Sequence, residues 1–244
     1  MKWSEFFTSS VGKKLVMAFT GLFLISFLIV HVGINACVFA DLDLFDPRDN
    51  GEMFNKAAHF MGSSYLIRLM EIGLFVGIIA HIVQGYMLTA QNRARRKQGY
   101  AVSMGSQGSA WYKKSMGLLG TLILLFLIVH ISHFWVPSRI TYAETLSEIS
   151  YNNGKPIHDV FSKMIEVFTD PELGIVWVLL YILGCFSLAW HLLHGFQSSF
   201  RTMGVHNKKW LGVVKGLGVA FSIIVPLIFA LMPVSFYFGW VGNN

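Results

Sequence analysis

Runs of apolar residues and the polar breaks between them divide this chain into five long segments, about Leu15–Phe39, Tyr65–Ala90, Met116–Val136, Leu173–Phe200 and Leu211–Trp240. Each has roughly 20 residues or more, the length an α-helix needs to cross ~30 Å of hydrocarbon. The pattern predicts an all-α membrane protein with five transmembrane helices, I to V, residues 1–244 forming one integral-membrane domain. Composition agrees. Of 244 residues 54% are hydrophobic and 13% charged, too apolar a balance for a water-soluble domain. The apolar run after Lys13 and Lys14 is about twice the length of a signal-peptide core and lacks a small-residue cleavage site, so helix I is expected to remain in the mature protein.

The charges are sorted by side. The N-terminus, the loop with Arg93, Arg95, Arg96, Lys97, Lys113 and Lys114, and the loop from Arg201 to Lys215 hold 13 of the 19 Lys and Arg, with Glu5 their only acid. The connections Asp41 to Ser64 and Pro137 to Glu172 hold almost all the carboxylates: Asp41, Asp43, Asp46, Asp49, Glu52, Glu144, Glu148, Asp159, Glu166, Asp170 and Glu172. The positive-inside rule then places the N-terminus in the cytoplasm and, after five crossings, the C-terminus outside. The net charge of +6 reflects a basic rim suited to anionic membrane lipid or a docked partner, with nothing that points to nucleic acid. Two cysteines without a Cys-x-x-Cys argue against structural zinc and covalently attached haem. Cys37 and Cys185 read as buried small hydrophobes.

Within the apolar segments the informative residues are histidines. Phe27-Leu28-Ile29-Val30-His31 returns as Phe126-Leu127-Ile128-Val129-His130, and His81 and His191 each have a glycine four residues on, Gly85 and Gly195. Helices I and III run outward, and His31 and His130 lie 17 and 16 residues beyond Lys14 and Lys114, a common depth of ~25 Å at 1.5 Å per residue. Helices II and IV run inward, and His81 and His191 precede Arg93 and Arg201 by 12 and 10 residues, a second depth of ~15 to 18 Å from the same side. An iron held by two neutral imidazoles needs ligands at equal height on facing helices, so depth pairs His31 with His130 and His81 with His191 as axial ligands of two haems. The expected arrangement is a four-helix bundle of I to IV around them, with helix V, which has no histidine and carries Pro226 and Pro233, peripheral.

Lys13-Lys14, Gly21 and His31 are echoed by Lys113-Lys114, Gly120 and His130, a loose duplication of I–II in III–IV. Gly85 and Gly195 would let a porphyrin face approach the backbone. His133 and His194, each three residues after a favoured ligand, are rivals on nearly the same faces. His191 is preferred over His194 because its depth matches His81.

With these residues in view, the chain resembles the cytochrome b membrane-anchor subunit of succinate:quinone oxidoreductases, the single-chain, five-helix, di-haem type of succinate dehydrogenases and fumarate reductases. The resemblance covers nearly the whole length, and its most specific parts are Phe54-Asn55-Lys56-Ala57-Ala58-His59-Phe60-Met61, the Arg68 to Glu71 entry to helix II, and His191 followed 13 residues later by Gly204. It implies two haem b with ligands on helices I to IV, falling on His31, His81, His130 and His191. It also implies a quinone substrate such as menaquinone, a FAD-containing flavoprotein subunit, an iron–sulfur subunit docked on the cytoplasmic side, and residence in the bacterial inner membrane. This chain has no dinucleotide fingerprint or cysteine cluster of its own, so no dicarboxylate active site is expected on it. Some fumarate reductases of this type carry a glutamate before the helix IV ligand; here Trp190 stands there, and the associated proton route is not carried over.

Quinone reduction takes up protons, so its site is expected at the membrane edge near an acid. Glu52 and His59, in the outer connection before helix II, are the candidates. Arg68 is a candidate for a haem propionate, or it neutralises Glu71 three residues on. Two alternatives stay open: a haem b anchor of another respiratory dehydrogenase, such as a hydrogenase or formate dehydrogenase, and a haem-free proton-coupled transporter using the histidines as a relay.

Overall fold

The fold is known from a computed structural model, which describes residues 9–42, 44–46, 49–95, 111–141, 146–151 and 154–242. Lys2, Glu5, Asp43, Arg96, Lys97 and Glu144, which enter the charge sorting above, lie outside the described residues. The chain is an all-α membrane protein with five helices long and apolar enough to span a bilayer. Helix I is α1, Ser10–Asn35, continued by a 3-10 turn at Ala36–Asp41. A short helix α2, Glu52–Ser63, leads into helix II, α3, Tyr65–Arg95. A one-turn helix α4, Trp111–Lys114, precedes helix III, which is α5, Met116–His130, then a π-helical turn at Ile131–Trp135, then α6, Val136–Arg139. The following connection holds a two-residue hairpin, β1 (Glu148–Ile149) against β2 (Ile157–His158), and helix α7, Val160–Phe168. Helices IV and V are α8, Gly174–Thr202, and α9, Lys208–Tyr237. Helix α9 runs unbroken through both Pro226 and Pro233.

The chain falls into two compact units. The first comprises residues 1–27, 72–122 and 187–223 and contains His81 and His191. Its buried side chains include Ala18, Ile25, Leu119, Leu192, Phe196 and Val214. Close backbone packing relies on glycine, since a Cβ at Gly218 would lie 2.9 Å from the Phe196 ring and one at Gly77 3.0 Å from Phe23.

The second unit comprises residues 28–71, 123–186 and 224–244 and contains His31 and His130. Its core is built around α7, whose Phe161, Met164, Val167 and Phe168 recur at helical spacing and are all buried, against Val38, Phe54, Tyr181 and Phe236. Asp159 caps α7, its carboxylate accepting from the Ser162 N–H at 3.0 Å. Asn55, fully buried, pins α2 to this segment: its amide donates to Asp159 at 2.8 Å and to the Tyr151 hydroxyl at 2.9 Å, and its carbonyl accepts from the Phe161 N–H at 3.0 Å. Gly51, at the start of α2, has φ +73°, and a Cβ there would fall 2.2 Å from Phe161, so both backbone and packing exclude other residues. Buried Asp41 ties the chain's end in, accepting from the N–H groups of Asn50 (2.9 Å) and Gly242 (2.6 Å).

Large apolar side chains such as Ile29, Ile72, Ile79, Leu125, Ile128, Leu179, Leu183 and Leu227 remain exposed on the spanning helices, which suits a lipid surround. Helix α9 carries no histidine, yet its inner face gives the second unit Met232 and Phe236, the latter 1% exposed. Cys185 is buried as expected, whereas Cys37 is only partly so; both are free thiols.

Candidate functional site

In the second unit the rings of His31 and His130 lie 5.9 Å apart, centre to centre, at 84°. In the first unit those of His81 and His191 lie 6.1 Å apart at 63°. These are the pairs that depth alone selects. An imidazole nitrogen bonds a first-row metal at about 2.0–2.1 Å and its ring centre lies ~1.1 Å behind it, so two rings on opposite sides of one ion have centres about 6 Å apart. The residues present therefore fit a bis-imidazole iron at both places.

The surroundings of His81 agree with that use. Thr20 is almost fully buried, and its hydroxyl donates to the Val16 carbonyl at 2.8 Å, with Met17 O at 3.2 Å. Its one proton is thus committed, and at 3.1 Å from His81 Nδ1 it can only accept, which leaves the Nε2 lone pair of a neutral ring for a metal. Asn35 meets His31 in the opposite sense, its amide NH2 lying 3.2 Å from Nδ1 and donating to the same residue's carbonyl at 2.8 Å, so this contact favours the proton on Nε2 rather than a free Nε2 lone pair. His130 and His191 each have a buried Nδ1 with no hydrogen-bond partner, a state that costs ~1–3 kcal/mol in an apolar site.

Glycines line the first-unit pair symmetrically. A Cβ on Gly21 would lie 3.6 Å from His81 Cε1, and one on Gly120 3.8 Å from His191 Cε1. A Cβ on Gly195 would meet nothing within 4 Å, and one on Gly85 only the mobile end of Met17 at 3.4 Å, so protein packing does not demand glycine at those two positions. The duplication also extends one turn further than the sequence reading took it: Thr89 and Ser199 each donate to the carbonyl of the glycine four residues back, at 2.8 and 2.9 Å.

Comparison with protein-family models, curated proteins and solved structures returned no match.

The other sequence candidates are more scattered. His133 is engaged by the second unit's aromatic cluster, its ring parallel to Tyr181 (3°, 6.0 Å), its Nδ1 3.2 Å from the Tyr181 hydroxyl, and Trp177 edge-on at 4.7 Å. His194 lies half-buried on α8. Arg68 is exposed, and Glu71 pairs instead with Arg139 at 3.4 Å and accepts from Trp135 Nε1 at 2.5 Å. Glu52 is half-buried and ion-paired with Lys56 one turn on, while His59 sits exposed on the same helix. Trp190, the neighbour of His191, packs with Trp111 and Tyr112 at 5.0 and 5.3 Å. Beside the Glu52 helix, burial and the charges of Asp41, Glu52 and Asp46 raise the Asp49 carboxyl above its ordinary range, although the Met53 N–H bond opposes this.

Sequence reading passed over Thr20, Tyr181 and the Glu71–Arg139 pair. Thr20 alone left a signal, as a hydroxyl one residue before Gly21 on an otherwise apolar helix.

Proposed function

We propose that this chain is the membrane-anchor cytochrome b subunit of a succinate:quinone oxidoreductase, with one haem b held by His31 and His130 and a second by His81 and His191. The observation that carries the reading is the spacing of the two imidazole pairs, 5.9 and 6.1 Å. A haem held by two imidazoles would leave no position for a substrate and would supply electron transfer only.

The chain's own residues orient and insulate. Thr20 fixes the His81 tautomer, and Phe126, Phe134, Tyr181 and Phe229 wall the second pair with ring contacts of 5.4 to 6.1 Å. Charge sorting supports a cytoplasmic N-terminus and an outer C-terminus in the bacterial inner membrane. On that orientation the basic side receives the iron–sulfur and flavoprotein subunits, and a quinone, menaquinone being the expected one, reacts at the acidic side. With Trp190 preceding His191, no acidic relay accompanies that ligand.

A pyridine haemochrome assay on the purified chain is expected to give two haem b per polypeptide. A haem-free preparation would overturn the reading in favour of a histidine relay transporter. Sequencing the proteins that copurify separates a succinate dehydrogenase from a hydrogenase or formate dehydrogenase anchor.

A further inference from the structure

We infer that α2 lies in the lipid headgroup layer as an interfacial helix, and that Arg68, at the start of helix II, holds the phosphodiester of a phospholipid beside it. This needs only that the chain spans a membrane, whatever the histidines hold.

At about 100° per residue the side chains of α2 divide into three faces rather than the usual two. Phe54, Asn55, Ala58 and Gly62 share one arc of about 100°. Phe54 and Asn55 are buried, Ala58 packs on the core, and a Cβ on Gly62 would lie 3.1 Å from the Arg139 guanidinium, so this arc faces protein. Glu52, Lys56, His59 and Ser63 share the next arc, about 60° wide, and the last three are exposed. The third arc, again about 100° wide, holds Met53, Ala57, Phe60 and Met61, with Met53 53% and Phe60 66% exposed. A helix packed on protein and otherwise in water has no use for that apolar flank. A helix with water on one side and lipid on the other needs it.

The chain leads from this helix straight into a lipid-facing surface. After the extended Ser64, Tyr65, Leu66, Leu69 and Met70 at the head of a spanning helix are 93, 67, 66 and 56% exposed. Arg68 is exposed among them, and Glu71, three residues on, is taken by Arg139 and Trp135. No carboxylate among the described residues forms an ion pair with Arg68. Helical side chains tilt toward the N-terminus, so its long side chain reaches back to the membrane surface at the Tyr65 end, stem in lipid and guanidinium at the phosphate level. A guanidinium fork matches the two free oxygens of a phosphodiester. A phospholipid joins that anion to acyl chains for the apolar flank. A soluble anion would leave the flank in water, and the same flank of a second copy brings no anion.

The test uses the full chain in bilayers of phosphatidylethanolamine and phosphatidylglycerol, with Cys37→Ser and Cys185→Ala removing the native thiols. Nitroxides attached through Met53→Cys or Phe60→Cys should be more accessible to oxygen than to a water-soluble nickel chelate and sit ~5–10 Å below the headgroup surface. Those attached through His59→Cys or Ser63→Cys should show the reverse. In native mass spectrometry from mild detergent, Arg68→Gln should retain about one phospholipid fewer per chain than the parent, and Arg68→Lys, which keeps the charge, should restore part of it. Should a labelled variant fail to fold, a phosphatidylethanolamine carrying a diazirine on its acyl chain, photolysed with the unaltered protein, should mark the peptides 52–61 and 65–70. Labels at 53 and 60 open to the nickel chelate overturn the inference. Labels shut to both reagents and broadened by a neighbouring copy overturn it in favour of a dimer face. Equal phospholipid retention in Arg68→Gln and the parent, or no diazirine mark on either peptide, also overturns it.

Discussion

Thr20→Val is the sharpest perturbation of the His81–His191 pair that leaves both imidazoles in place. Valine matches threonine in shape, so packing in this buried position survives and only the hydroxyl is lost. That hydroxyl is the acceptor 3.1 Å from His81 Nδ1, its own proton being given to Val16 O at 2.8 Å. Its removal strands a buried N–H, at a cost of ~1–3 kcal/mol, and frees the ring to turn or to change tautomer. Loss of such an outer partner typically lowers metal affinity about 10- to 100-fold, equivalent to about 1.4–2.7 kcal/mol. The assay is haem stoichiometry after dilution and washing, together with an optical redox titration. The haem of this pair should be depleted or shifted in potential, that of His31 and His130 retained, and Thr20→Ser should behave as the parent. Two haems retained with both potentials unchanged in Thr20→Val would refute the argument that Thr20 sets the ligand nitrogen.

Three further outcomes are expected. His31→Ala and His130→Ala should each remove one and the same haem, and His81→Ala and His191→Ala the other; difference spectra showing one loss shared by His31 and His81 variants would defeat the pairing. Gly51→Ala forces a left-handed backbone, about 1–2 kcal/mol, and overpacks Phe161, about 1–3 kcal/mol; the α2 segment should become measurably more susceptible to protease, with unchanged digestion counting against the close contact. The raised Asp49 carboxyl binds its proton more tightly in the folded chain than in the unfolded one, so its contribution is intact below the ordinary Asp range near ~4. That contribution is lost as pH rises through the elevated value. Amide protection at the start of α2, corrected for intrinsic exchange, should therefore fall from pH 4 to 7, and Asp49→Asn should flatten the trend.

The spanning helices were legible because hydrocarbon demands long apolar runs and the chain interrupts them with sorted charge. Pairing His31 with His130 and His81 with His191 needed only helix rise and a common starting side. What hydrophobicity does not tell in a membrane is which side of a helix faces protein, since lipid and core are equally apolar. For that reason the particular contacts of α9, Phe229 against His31 and Phe236 in the core, could not be read for a helix expected only to pack outside the bundle or to face lipid. Contacts across the sequence were equally hidden: Thr20 and His81 are 61 residues apart, and Glu71 finds Arg139 68 residues on rather than Arg68 beside it. The Phe54-Asn55-Lys56 stretch stood out only as part of the resemblance, and the structure makes Asn55 a pin between two outer connections. Helix α7, too short to register as a span, organises the second unit's core.

The π-helical turn at Ile131–Trp135 acts as a phase shifter in helix III. A turn that closes on i+5 absorbs one more residue than an α-turn, so everything after it is rotated by ~100° and set back ~1.5 Å relative to an uninterrupted helix of the same residues. Upstream, the helix aims His130 at His31; downstream, it aims Trp135 and Arg139 at Glu71. A straight α-helix with the same residues could satisfy only one of those azimuths. Deleting a single residue from the turn would let it close as an ordinary α-turn and keep both the ligand and the ion pair in phase, whereas deleting one from the α-helical stretch between Met116 and His130 would swing the two ends of that stretch out of phase.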